Sequence, residues 1–194
     1  MSLWFWVLLV AIASIGWLVA YMLSQRPITS AQQLIQQQRY EDAVMEAARM
    51  NDTFHRAEAL KLLGKFEEAI PFYRESTDPS AREGIALSLA HLGRDLDEAR
   101  SLMELQIAQH PQIQEFQALG LAYILLRAGD REGALRLYRD NVELLETRFR
   151  DDYTDRDPML SETLLLFSEL ARANGEDARA DSLRRQAEVW GWRV

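Results

Sequence analysis

The sequence predicts an all-α protein, one apolar N-terminal helix followed by a row of helical hairpins. From Leu3 to Leu23 run 21 consecutive uncharged and mostly apolar residues. After Ser30 apolar residues recur at helical spacing, as in Ala81 to Leu92 and Phe116 to Arg127, with no alternating β-branched run of useful length. A helix end, a short turn and a new helix start then recur five times.

The first segment, residues 1–25, is expected to cross a membrane. Twenty-one helical residues span roughly 30 Å, the thickness of a bilayer core. Trp4 and Trp6 near one end, and Trp17 and Tyr21 towards the other, suit the two interfaces. A cleaved signal peptide would need a basic start and a small-residue cleavage site, and Met1-Ser2 and Leu18-Val19-Ala20 supply neither. Arg26 and Arg39 follow the span and no basic residue precedes it, which points to a cytoplasmic domain, with the periplasm as the alternative. Ala13, Gly16 and Ala20 share one face of the span and would let a second helix approach, a route to a homo-oligomer.

Residues 26–29 form a linker, because Arg26-Pro27-Ile28-Thr29 breaks the helix before Ser30 and Gln33 open the next at capping-box spacing. The remaining 30–194 are one domain of ordinary size. All of the net charge of -8 falls after residue 25, which disfavours nucleic acid as a partner. The absence of cysteine excludes disulfides and thiolate metal sites. The chain has 20 Arg against 2 Lys, which reads as the composition of a GC-rich bacterial genome; the expected location of the span is the inner (plasma) membrane.

The five turns begin at Gln38, Gly64, Gly93, Gly129 and Gly175, four of them with glycine where a helix end needs a left-handed residue, and acidic residues favour the helix start that follows. Gly64, Phe66, Ala69 and Tyr73 form one pattern; Gly129, Ala134 and Tyr138 repeat it at the same spacing, with Ala57 and Ala122 preceding. On these residues the chain resembles the tetratricopeptide repeat family, antiparallel helix pairs with small residues where the two helices touch. The resemblance covers most of 29–190 and implies a tetratricopeptide-like α-solenoid of four to five helix pairs. The alanines Ala43, Ala69, Ala99, Ala134 and Ala180 are 26, 30, 35 and 46 residues apart against a family period of 34, so units are shortened or extended. The longest departure is an extended helix from Val142 to Arg150 and a polar loop to Pro158, where Asp157 and Pro158 restart the fold.

No catalytic, cofactor or metal site emerges. His55, His91 and His110 lack metal-ligand spacing. Asp151 and Glu162 stand apart like the end ligands of a calcium loop, but Tyr153, Arg156 and Pro158 break the ligand set and the turn. Phosphate-loop, dinucleotide and nucleophile-elbow motifs are absent. The chain is therefore not expected to be an enzyme.

The resemblance implies instead a concave partner-binding groove on the first helix of each pair: Phe54, Glu58 and Lys61, then Leu87 and His91, then Phe116, Leu119, Tyr123 and Arg127. For the aromatics among them, packing between repeats is an equal alternative. The carboxylate clamp of chaperone-tail binders is not matched at these positions. Trp190 and Trp192 either cap the open end of the stack or form a docking tag. The expected function is a membrane-anchored scaffold that binds a membrane-associated protein or peptide during assembly of a complex; a permanent subunit of a membrane enzyme or secretion machine is the alternative.

Overall fold

The computed structural model of the protein describes residues 30–110, 114–151 and 158–193. The expected anchor 1–25, with its face of Ala13, Gly16 and Ala20, lies outside the described residues, as do the linker 26–29 and residues 152–157 of the polar loop. Among the described residues the protein is all-α, with no strand, and no helix is long and apolar enough to cross a membrane.

Among the described residues ten helices follow one another: α1 (Ala31–Gln36), α2 (Tyr40–Met50), α3 (Thr53–Leu62), α4 (Phe66–Glu75), α5 (Ala81–Leu92), α6 (Leu96–Gln109), α7 (Gln114–Arg127), α8 (Arg131–Asp151), α9 (Ser161–Ala173) and α10 (Asp177–Trp190). A single 3-10 turn, Pro158–Leu160, precedes α9. Ser30 and Gln33 cap α1 reciprocally, as their spacing predicts: the Ser30 Oγ accepts from the Gln33 amide at 3.2 Å and the Gln33 Oε1 from the Ser30 amide at 3.0 Å. Gly64, Gly93, Gly129 and Gly175 all have positive φ, and Gln38 takes the same conformation at 57° in the turn that lacks glycine.

Each odd-numbered helix packs on the next even one to form a hairpin, and the hairpins stack. The two kinds of helix bury different amounts of surface. α2 buries a stripe of Tyr40, Ala43 and Ala47, and α6 one of Ala99, Met103 and Gln106, at spacings of three and four. By contrast α3 buries six residues in succession, Ala57 to Leu62, and α5 all seven from Gly84 to Ala90. A helix buried on most sides lies between other elements, so α1, α3, α5, α7 and α9 form an inner layer whose neighbours touch, and the even helices the outer one. Ala43, Ala69, Ala99, Ala134 and Ala180 are all fully buried where the layers meet.

The first and last hairpins also meet. Leu34, Ile35, Tyr40 and Phe66 share one apolar cluster with Leu164, Leu165, Ala187, Trp190 and Trp192. The Tyr40 hydroxyl donates to the Gly191 carbonyl at 2.9 Å, and Arg193 donates to the Gln38 carbonyl at 2.9 Å. The two tryptophans are thus neither an end cap nor an exposed tag. The Trp192 ring reaches inward to Phe66 and His91, with centroids at 6.3 and 5.5 Å, because a row of hairpins that returns on itself has no open end there to cover.

Gly191 holds this closure in a left-handed conformation, φ 117°, with the space for a Cβ taken by the Tyr40 hydroxyl and the Gln38 side chain. Gly129 has φ 87° but open space around it. Gly129→Ala is expected to cost about 1 kcal/mol from the backbone alone, and Gly191→Ala about 3 kcal/mol once overpacking is added. Urea denaturation of the two variants measures the difference.

Candidate functional site

At the centre of the inner layer a set of charged side chains lies out of reach of bulk water. Lys61 on α3 is 6% exposed, Glu58 one turn before it 5%, and Glu162 on α9 3%. The Lys61 Nζ lies 3.2 Å from Glu58 Oε1 and 2.7 Å from Glu162 Oε2. Helical geometry explains the first contact, since residues three apart share a face. The second joins the second hairpin to the last and is made by the closure of the row.

The network extends in both directions. The Tyr73 hydroxyl on α4 donates a short hydrogen bond to Glu58. Glu162 Oε1 meets His91 Nε2 on α5 at 3.0 Å, and His91 Nδ1 meets the Tyr123 hydroxyl on α7 at 3.3 Å. A carboxylate only accepts, so Nε2 carries the proton towards Glu162, and in the neutral ring Nδ1 is free to accept from Tyr123. Phe66 stacks on the imidazole at 4.4 Å between centroids and 10° between planes, fixing its orientation.

The protonation states follow from the surroundings. Burial opposes the Lys61 charge, but Glu162 and then Glu58 hold the ammonium well above its usual range. Burial alone would push the Glu162 carboxyl up; the Lys61 charge and the His91 hydrogen bond overcome it and bring it down to about 2. Burial, then the Glu58 carboxylate, raises the Tyr73 phenol well above 10. Burial also takes the Tyr123 hydroxyl up to about 12.

Beside this network a cavity of about 400 Å³ lies between α3, α5, α7 and α9. Phe54, Leu87, Phe116, Leu160 and Leu166 supply apolar walls, and Lys61 is flanked there by Glu58, Glu83 and Glu162, with Asp78 and Ser80 at the rim. Its size is that of a binding pocket, and five of its lining residues are ionisable. Gly84 and Gly120 sit where the inner helices approach the neighbouring layer; a Cβ at Gly84 would meet the Tyr73 ring. Glu83, half-buried, differs from the other acids: desolvation, opposed by Lys61 and reinforced by Glu162 and Glu58, pushes it up to about 7.

Five of the nine groove residues read from sequence, Phe54, Glu58, Lys61, Leu87 and Phe116, line this one cavity. Tyr123 and His91 belong to the charged network, Leu119 is packed in the core at 1% exposure, and Arg127 is exposed. The sequence reading missed Glu83, saw Glu162 only as the end of a broken calcium loop, and used Tyr73 only as a repeat landmark. One signal was present: Lys61 is one of only two lysines and stands between Leu60 and Leu62, three residues after Glu58. Among the described residues no group of three or more His, Asp or Glu could hold a metal ion.

Compared with known protein families and with curated proteins, the chain matches none.

Lys61→Met leaves two buried carboxylates without their cation and is expected to cost about 3–5 kcal/mol in urea denaturation. Glu162 is depressed from 4.5 to about 2, so its contribution, about 3 kcal/mol, is complete above pH 4.5 and is lost as pH falls towards 2; Glu162→Gln flattens that limb of the stability profile. Glu83 has the opposite sign. Its folded form keeps a proton that the unfolded chain releases from pH 4.5 upwards, so stability falls as pH rises through about 7. Glu83→Gln is expected to gain about 1–3 kcal/mol at pH 8 and nothing at pH 4, the range allowing for solvent at the cavity mouth.

Proposed function

We propose that the chain is a membrane-anchored scaffold: residues 1–25 hold it in a bacterial inner membrane, and a tetratricopeptide-type α-solenoid binds a segment of another protein during assembly of a membrane complex. The observation that carries this reading is the inner-layer cavity, in which residues from α3, α5, α7 and α9 converge on one unfilled space. Stacked hairpins with buried alanines at their contacts support the repeat reading. The uncharged run from Leu3 to Leu23 supports the anchor.

Much of the inner layer is committed to the chain's own charged network, so the docked segment is short. A cavity of this volume takes one long side chain and parts of its neighbours rather than a helix. Confinement to a membrane offsets the small contact, because two proteins held in one thin layer meet at a high effective concentration. The cytoplasmic face follows from Arg26 and Arg39.

The test is photocrosslinking in native membranes. A photoreactive residue at Phe54 or Phe116 in the full-length chain is expected to capture a discrete partner, and one at the exposed outer-layer residues Met45 or Leu105 is not. Equal capture at both kinds of position overturns the docking site, and loss of membrane retention on deleting residues 1–25 tests the anchor.

A further inference from the structure

We infer that the cavity is selective for a basic side chain, arginine or lysine, presented by the docked segment, with its charged end at Glu83 and its aliphatic stem against Phe54, Leu87 and Phe116. The inference rests on the docking reading above and adds the chemistry of what is docked.

Charge is the first argument. Among the described residues the ionisable groups that line the cavity are Glu58, Asp78, Glu83 and Glu162 against one cation, Lys61. Lys61 is in contact with Glu58 and Glu162, and its longer-range pull on Glu83 does not offset the desolvation of that carboxyl. An anionic ligand would meet unbalanced carboxylates, and a neutral apolar one would leave Glu83 in a drier place still. A cation supplies what the wall lacks.

The second argument is the buried amide beside Glu83. Gln117 on α7 is fully buried, and neither its Nε2 nor its Oε1 has a hydrogen-bond partner. Its amide lies close enough to Glu83 to favour the charged carboxylate, yet the two do not form an aligned hydrogen bond. A buried amide without an aligned partner costs stability. A guanidinium or ammonium entering here donates to the Glu83 carboxylate, the group that lines the cavity next to the Gln117 amide, since these cations carry several donors and no acceptor. The apolar walls then cover the methylene stem, as they do for long basic side chains elsewhere.

The experiment titrates the full-length chain in detergent with two short peptides, acetyl-Leu-Arg-Leu-amide and its Gln counterpart, and with agmatine as a free guanidine. The Arg peptide is expected to bind about tenfold or more tightly than the Gln peptide, and Glu83→Gln to abolish that preference. Glu188→Gln, on the exposed face of α10, is expected to leave it intact. In the unmodified chain, affinity for the Arg peptide is expected to rise between about pH 6 and pH 8, as Glu83, facing Lys61 and Glu58 on α3, Glu162 on α9 and Asp78 before α5, gives up its proton. Equal affinity for the two peptides, or a preference that survives Glu83→Gln, overturns the inference. Agmatine binding as tightly as the Arg peptide overturns the peptide as the source of the cation. Either result, obtained beside successful capture at Phe116, leaves docking standing and removes only its chemistry; failed capture removes docking itself.

Discussion

The ammonium of Lys61 is almost wholly withdrawn from water, and a charge so placed must be neutralised on the spot or the helix that carries it will not stay buried. Glu58 is close by because helical geometry puts it there, but it is also drawn upon by Tyr73. The second counter-charge comes from Glu162, far along the chain, and the same carboxylate orients His91. One side chain on α9 therefore fixes the positions of α3 and α5, and through His91 that of Tyr123 on α7. The apolar cluster shared by the first and last hairpins supplies the contact area; the carboxylate supplies the register.

Local features of this fold were legible in the sequence. Helical periodicity, the capping box at Ser30 and Gln33, the turn glycines and the long α8 each depend on residues a few positions apart, and each stands as read. The return of the last hairpin onto the first was not legible. It depends on Tyr40 meeting Gly191 and Trp192 meeting Phe66, contacts that leave no periodic trace in either segment. The site divides along the same line. Phe54, Glu58, Lys61, Leu87 and Phe116 lie on helices that the repeat pattern places together, whereas Glu162 enters from beyond the irregular loop and Glu83 points into the cavity from a position no repeat landmark marks. Ala43 to Ala180 show both halves of the lesson: their burial followed from type and spacing, while the ring they build followed from neither.

The cavity wall is less favourable to the folded chain than it need be. Glu83 on that wall is held in a place that resists its charge, and beside it Gln117 is buried without an aligned hydrogen-bond partner. Residues that serve packing alone are not usually arranged so. Sites that meet another molecule commonly keep such local costs, because the groups are satisfied only when the other molecule is present. The neighbouring network of Lys61, Glu162 and His91, by comparison, is complete within the chain.

The contact between Glu162 and His91 spans 71 residues, and that between Tyr40 and Gly191 spans 151. Ribosomal synthesis is vectorial, so the hairpins that carry Lys61 and His91 leave the exit tunnel well before the carboxylate that completes them. Until then a nascent α3 and α5 would bury a cation short of its counter-charge, and the early hairpins have reason to remain open. Stacked repeats ordinarily fold outward from any neighbouring pair. Here high contact order at the ends ties the folding of the first half to the arrival of the last, so a chain cut short by arrested translation presents to cellular proteases as unfinished rather than as a smaller stable protein.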